Sequence, residues 1–495
     1  MPEHIKALIF ILLLATIGFY FSRKLTAQEI PNNDFKRWKN VWFAVVITAF
    51  LASNYWVFIA LSSVLIIIIT KQIKNKMALF FILVFALPPF QKSISGFGIV
   101  NSFFALDYIR FIELIILLPA SLAIFKRNNF TSFSILTDKF ILIYIILIAI
   151  LELRGTTITD SFRTLFYTLL EIFLPYYVAS RSIKNLSQMN YAVNAFLTST
   201  IVVALISTFE SAKRWLLYNE LPNALGADFN LGAYLGRGDG IRAAASLGHP
   251  LVLGCFAMVG IGFYLYISTS IQNKTLKHIG FIILTTGLIT PVSRGPWIAA
   301  VVLLFTFTLQ GPLVFIKLSK MLIAGVVAFA LLAMTPSGQK FINLLPIVGK
   351  TEQYNIDYRE QLFHNSLIVI ARSPVFGSID FLKTPEMLAL IQGQGIVDVV
   401  NTYIGITLAR GYAGLILFLS IFISVIMAIR KNMKSIIDKK GQLHLLGRSL
   451  VAILLSIMFM ISTTSSIASL PIIYWSILGL GIAYTRIVKL AVSTF

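Results

Sequence analysis

Apolar runs, each close to the length of a bilayer crossing, recur from one end of this sequence to the other. A helix needs roughly 20 predominantly apolar residues to cross the hydrocarbon core. Runs of that kind, some shorter, lie at about 6–21, 41–70, 77–90, 106–125, 139–153, 163–180, 189–209, 244–270, 279–291, 297–315, 321–334, 401–430, 449–463 and 472–487. The run at 41–70 suffices for one long crossing or two short ones. The pattern predicts an all-α polytopic transmembrane bundle of about 12–15 spans. The runs are continuous and do not alternate with polar residues, which argues against a β-barrel. Composition agrees: 57% of residues are hydrophobic and 12% charged, where a soluble domain carries about 25% charge. Residues 6–21 lack a basic leading region and a small-residue cleavage site, so a retained helix is expected there and not a signal peptide. The single cysteine, Cys255, excludes an intramolecular disulfide and any multi-cysteine metal site.

The net charge of +21 would suit nucleic acid in a soluble protein. In a membrane protein it reads as cytoplasmic loops loaded with Lys and Arg, and no nucleic-acid partner is expected. The loops KQIKNK (71–76), KRNN (126–129), RSIK (181–184), KTLKH (274–278) and RKNMKSIIDKKGQLHLLGR (430–448) are all basic. They alternate with the spans so that all fall on one side. Segment 22–40 also carries five Lys/Arg. If it joins them, 41–70 must cross twice and the first span must start outside.

The remaining loops then face outward, and two are long. Segment 210–243 has four basic and four acidic residues; segment 335–400 has five basic and six acidic. The stretch DYREQLFHNSLIVIARSPVFG (357–377) predicts an amphipathic helix ended by Pro374 and Gly377. A loop this long with apolar content is expected to pack as a cap on the outer face. The chain thus divides into N-terminal spans (1–209), central spans with arginine-bearing outer segments (210–334), the long loop (335–400) and C-terminal spans (401–495).

The sequence has no phosphate-binding glycine loop, no HExxH, no dinucleotide fingerprint and no Asp-rich metal cluster, so neither cofactor nor metal is expected. It does place arginines on the outward side: Arg237 and Arg242 in LGRGDGIRAAASLGHP, Arg294 in TPVSRGPW, and Arg359 at the start of the loop helix. Arginine presents a rigid fork of donors suited to phosphate oxygens. Each also has a plainer reading. Arg242 reads equally as a snorkelling side chain at a helix end, Arg294 as a cap on carbonyls of the preceding helix or the partner of a nearby acid, and Arg359 as a surface partner of Asp357 or Glu360. His249 reads as a residue packed near a helix start. Asp398 and Asn401 enter the 401–430 run three residues apart. If 398–402 is helical, they share a face with Thr402. Asp398 is then either a base that serves an acceptor hydroxyl or an N-terminal cap of the incoming helix.

The order of these pieces resembles the O-antigen ligase and O-antigen polymerase family of bacterial inner-membrane glycosyltransferases. Four pieces carry the resemblance: Arg242 to Pro250, with its small-residue run and HP; Ser293 to Gly295; Arg359 to Gly377, ending in SPVFG; and Asn401 to Leu419, which includes ARGYAGLILFL. They cover roughly 230–420. The resemblance implies an undecaprenyl-diphosphate-linked glycan as donor and an acceptor hydroxyl on a glycan, lipid or protein. Transfer would be inverting, metal-independent and on the periplasmic face. It assigns the diphosphate to Arg242 and Arg359, with Arg294 and Arg237 nearby. The family's histidine-asparagine pair falls on Val400 and Asn401, so the imidazole is missing. That departure points to an exopolysaccharide polymerase, or to a ligase with an acceptor other than lipopolysaccharide core. Asp398 and Asn401 remain as the catalytic candidates. The alternative function is a transporter or flippase of lipid-linked glycans, against which the chain shows no internal repeat.

Overall fold

The computed structural model describes all residues except 27–28, 97–101, 129–134, 156, 230–235, 238–239, 336–337, 340–341, 343–352, 392–394 and 494–495. The protein is an all-α helical membrane protein. Among the described residues nine helices are long and apolar enough to cross a bilayer, from Glu3–Thr26 to Leu470–Val492. Their outer faces expose apolar side chains such as Ile9, Leu13 and Ile17, Leu61 and Ile68, and Ile416 and Ile423. Apolar exposure on this scale belongs to a surface that faces lipid. The inner faces form one continuous apolar core.

The run at 41–70 divides. Helix Asn32–Leu51 is followed by helix Tyr55–Gln72, whose start is capped by Asn54 accepting from the amides of Trp56 and Val57. Basic loops meet at one end of the bundle. Arg37 donates to the Gln72 carbonyl, and Asn75 donates to the Gln188 carbonyl. Segment 22–40 therefore lies with the other basic loops, and the first helix begins at the opposite end. There Phe10 stacks on Phe209 and meets the Trp215 ring edge-on, near the far end of helix Leu186–Lys213.

Several spans differ from their sequence outline. Helix Lys76–Val84 stops before 90, and residues beyond it lead into an antiparallel hairpin, Gln91–Ser95 with Ser102–Asp107. Hydropathy alone did not anticipate strands there. The 244–270 run is helical only from Pro250, where His249 supplies the cap to the Leu251 amide.

Most consequential is helix Thr402–Lys434, which breaks at Gly411 (φ 64°, ψ −170°). A side chain is disfavoured in that conformation, so glycine is required. Groups around the break are satisfied by the SPVFG segment. Tyr412 N–H donates to the Pro374 carbonyl, Ala413 N–H to the Val375 carbonyl, and Ser378 N–H to the Leu408 carbonyl. Arg154 clamps the same segment through the carbonyls of Phe376 and Gly377. The loop helix itself spans Gln353–Arg372, starting earlier and ending sooner than 357–377. It buries Tyr358, Leu362, Val369 and Ile370 against Met387, Leu390 and Leu408, a small core separate from the main one. The long loop thus packs as a cap, pinned to the bundle at the break in the helix that follows it.

Candidate functional site

The site is organised around the turn STTSSIAS (462–469), which joins the last two helices at the end opposite the basic loops. The Thr464 carbonyl accepts from both the amide (2.9 Å) and the hydroxyl (2.8 Å) of Thr402. Thr402 and Ser466 also share a hydroxyl hydrogen bond of 3.1 Å. These bonds anchor the turn to the first residue of the broken helix.

Arg359 reaches this turn from the loop helix. Its guanidinium donates to the carbonyls of Val400 (3.4 Å) and Thr463 (3.2 Å). It does not settle on Asp357 or Glu360 as a surface pair; Glu360 instead lies 3.9 Å from His364. The residue as a whole is exposed, while its head sits in a crowded recess beside Asp398.

Asp398 is not in a helix. Residues 397–401 are neither helix nor strand but two tight turns, with Val400 N–H donating to the Asp398 carbonyl (2.9 Å) and Asn401 N–H to the Val399 carbonyl (2.7 Å), so Asp398, Asn401 and Thr402 do not share a helical face. The cap belongs to Asn401, whose Oδ1 accepts from the amides of Tyr403 (2.9 Å) and Ile404 (3.2 Å). The capping reading of Asp398 is thereby corrected: the turn that would have put its carboxylate over the first amides is taken by Asn401. The Asp398 backbone is held at both ends by the Tyr358 hydroxyl, which donates to its carbonyl (2.9 Å) and accepts from its amide (3.1 Å). Its carboxylate accepts from Ser465 at 3.3 Å. Burial raises the Asp398 pKa above the usual carboxylate value, and the Ser465 hydrogen bond and the Arg359 charge pull against that rise. A half-buried carboxyl shifted in this way is suited to taking a proton.

The second arginine segment is ordered by a buried acid, Glu210. Its carboxylate accepts from the amides of Leu217, Ala244 and Ala245. Arg242, just ahead, donates to the Pro291 carbonyl (3.1 Å) and the Ser293 hydroxyl (2.7 Å). Ser293 immediately precedes Arg294, the first residue of helix Arg294–Leu309. Gly295 packs so closely on Thr463 that a Cβ there would lie 2.6 Å from its hydroxyl. Contacts and chain neighbours together connect Arg242, through Ser293, Gly295 and Thr463, to Arg359, and Ser465 of the same turn reaches Asp398. His249 belongs to the same region as a capping residue, its pKa lowered to about 4 by burial and by the Arg242 charge. It is neutral at physiological pH. Arg237 pairs with Gly240 in a two-residue hairpin, and its side chain lies outside the described residues.

On the other side of the turn is a chamber of about 320 Å³ with a mixed polar and aromatic lining. Glu171, Arg410, Tyr144, Asn401, Ser465 and Trp475 are among the residues that line it. Arg410, the residue before the helix break, donates to the Tyr144 hydroxyl at 3.0 Å. A neighbouring recess of about 490 Å³ shares Glu171, Ser466 and Pro471, and adds Asp107 and Arg110. Arg110 bridges Asp107 (3.1 Å) and Glu171 (3.4 Å) and lies over the Tyr167 ring. Arg410, Glu171 and Arg110 were not among the candidates read from the sequence. Their signal was available: an ionisable residue inside an apolar span is costly and marks a site by default. Compared in sequence with protein-family models and with curated proteins, the chain matches none of either, so the site's reading rests on its own chemistry.

Proposed function

We propose that the protein is a metal-independent, inverting glycosyltransferase of the bacterial inner membrane. It moves an undecaprenyl-diphosphate-linked glycan onto an acceptor hydroxyl at the periplasmic face, in surface-polysaccharide polymerisation or O-antigen-type ligation. The observation that carries this reading is that the Ser293–Gly295 segment and the 462–469 turn bring Arg242, Arg359 and Asp398 into one neighbourhood. Basic loops gathered at the opposite end support the periplasmic orientation.

In this mechanism Arg242, Arg294 and Arg359 hold the diphosphate. Asp398 accepts the proton of the acceptor hydroxyl as its oxygen attacks the anomeric carbon. The bond from that carbon to the phosphate oxygen breaks in the same displacement, which inverts the configuration. Undecaprenyl diphosphate leaves with the bonding electrons, and the guanidinium groups neutralise its growing charge. Preorganised donors of this kind are worth on the order of 10²–10³ in rate, and a positioned base about 10²–10⁴. Asn401 has its Oδ1 committed to the helix cap, so its role is to place Asp398 and the chamber wall.

The broken helix favours one competing function, because discontinuous helices also build transporter sites. Here the break is closed by backbone of the loop, through Pro374 and Val375, which argues for a fixed anchor. The deciding experiment uses purified protein in lipid nanodiscs and vesicles, with lipid-linked glycan and acceptor, a chelator and no nucleotide. A glycosidic product with released undecaprenyl diphosphate is expected. Movement of the lipid-linked glycan across vesicles without product would overturn the proposal in favour of a transporter. Deletion of the gene separates the two enzymatic forms: single repeats without long chains mean polymerase, and full chains stranded on the carrier mean ligase.

A further inference from the structure

The chamber beside the 462–469 turn has a chemistry different from that of the arginine segments. Its floor is aromatic: Tyr144, Phe418, Tyr474 and Trp475 pack on one another with ring centroids 5.4–6.5 Å apart. Its polar wall combines a carboxylate, Glu171, with a guanidinium, Arg410, and the hydroxyls of Thr168, Ser465 and Ser466. Glu171 sits in a π-helical turn, Leu169–Phe173, inserted in an otherwise α-helical segment. Such turns are rare and frequent at functional sites. A volume of about 320 Å³ falls at the lower end of small-molecule sites, roughly 300–1,000 Å³. That is room for one or two sugar rings, and too little for a polyprenyl chain.

A sugar offers apolar C–H faces to aromatic rings and hydroxyls that both donate and accept. Carboxylate and guanidinium together satisfy both directions, as one sign of charge alone does not. A diphosphate would meet Glu171 as a repelling charge. Ser465 lines the chamber and also donates to Asp398, so a hydroxyl presented at that wall lies beside the base.

We propose that this chamber is a saccharide subsite in which Glu171 and Arg410 hold the acceptor glycan with its reactive hydroxyl toward Asp398. The inference rests on the transferase reading above, and names where its second substrate sits. Arg410 and Glu171 are binding residues here; they take no part in bond breaking.

The test measures binding without turnover. Full-length protein in nanodiscs is titrated with a panel of neutral, amino and uronic acid disaccharides, followed by saturation transfer to the sugar protons. In parallel, undecaprenyl diphosphate binding is measured alone. The wild type should bind at least one disaccharide. Glu171→Gln and Arg410→Gln should weaken it roughly tenfold or more, the loss expected for a hydrogen bond to a charged group. Undecaprenyl diphosphate binding should be unchanged. Gly405→Leu provides a variant that keeps every polar group. Gly405 lines the chamber, and a Cβ there meets only Val399, at 3.6 Å. A leucine favours the helix and fills the space, so this variant should fold normally and lose the saccharide. The proposal is overturned if no disaccharide binds, if Gly405→Leu binds as well as wild type, or if the polar variants lose undecaprenyl diphosphate in place of sugar. Failure of glycan transfer with saccharide binding intact would sink the transferase reading and leave the subsite standing.

Discussion

Arg181 lies near the end of helix Leu174–Ser182 and Arg359 on the helix of the long loop, and the protein holds them in opposite ways. Arg181, toward the basic end, is 2% exposed and pairs with Asp138, itself 1% exposed. Ser180 and the rings of Tyr176 and Tyr177 surround it, and the Tyr176 hydroxyl donates to the same carboxylate at 2.6 Å. Its charge is spent inside the protein. Arg359, at the far end, is exposed and donates to carbonyls, with Asp398 nearby as an electrostatic neighbour. A carbonyl orients a guanidinium and leaves its charge in place. The first arrangement holds a fold together; the second presents a cation to something else.

The largest expected effect tests the structural half of that contrast. Arg181→Ala leaves Asp138 buried without its cation and should cost about 3–5 kcal/mol, read as a lowered unfolding temperature in detergent. Arg359→Ala should change stability by no more than about 0.5 kcal/mol. Equal losses in the two variants would break the comparison. Activity should separate them in the other direction. Arg359→Ala should lower transfer by roughly 10²–10³ with folding intact, measured as product formed from lipid-linked donor.

Asp398→Asn sharpens the distinction between base and cap. Transfer should fall at least about a hundredfold, and near-normal transfer would rule out the base. Stability should hold or rise slightly. The sign follows from the raised pKa, since the fold favours the protonated carboxyl. That contribution is present below the unfolded-state pKa and is lost as pH rises through the folded one, so ionised Asp398 is a cost at neutral pH that Asn removes. Asn401→Ala should show the reverse balance. Losing the cap costs about 1 kcal/mol of stability, with a smaller loss of transfer than Asp398→Asn. The smallest effect is a shift in pH profile. The base works ionised, so the rate falls as pH drops through its pKa. Arg359→Gln removes a charge that lowers that pKa, and the acid limb of its residual activity should move to higher pH. An unmoved limb would disconnect Arg359 from Asp398.

Much of this was legible in one dimension. The bilayer demands long apolar helices, so the apolar spans and the basic loops between them are written in local composition. The arginine segments were legible for the same reason, as charges stranded at membrane boundaries. Asp398 shows where local reading ends. A shared face with Asn401 required residues 398–402 to be helical, yet the helix starts only at Thr402, because the Tyr358 hydroxyl and the 462–469 turn hold residues 397–401 in tight turns. The turn itself, STTSSIAS, carries no charge and so was not among the candidates.

The sequence by itself determined an all-α membrane bundle whose loops differ in charge, because hydrophobic length and charge act within each segment. Only the tertiary structure decided that Gly411 breaks a span, that SPVFG closes the break, and that Asn401 is the cap. It alone set Glu171 and Arg410 in one chamber. Those facts depend on hydrogen bonds and packing between residues far apart in the chain, and no single segment's composition encodes which distant partner will satisfy it.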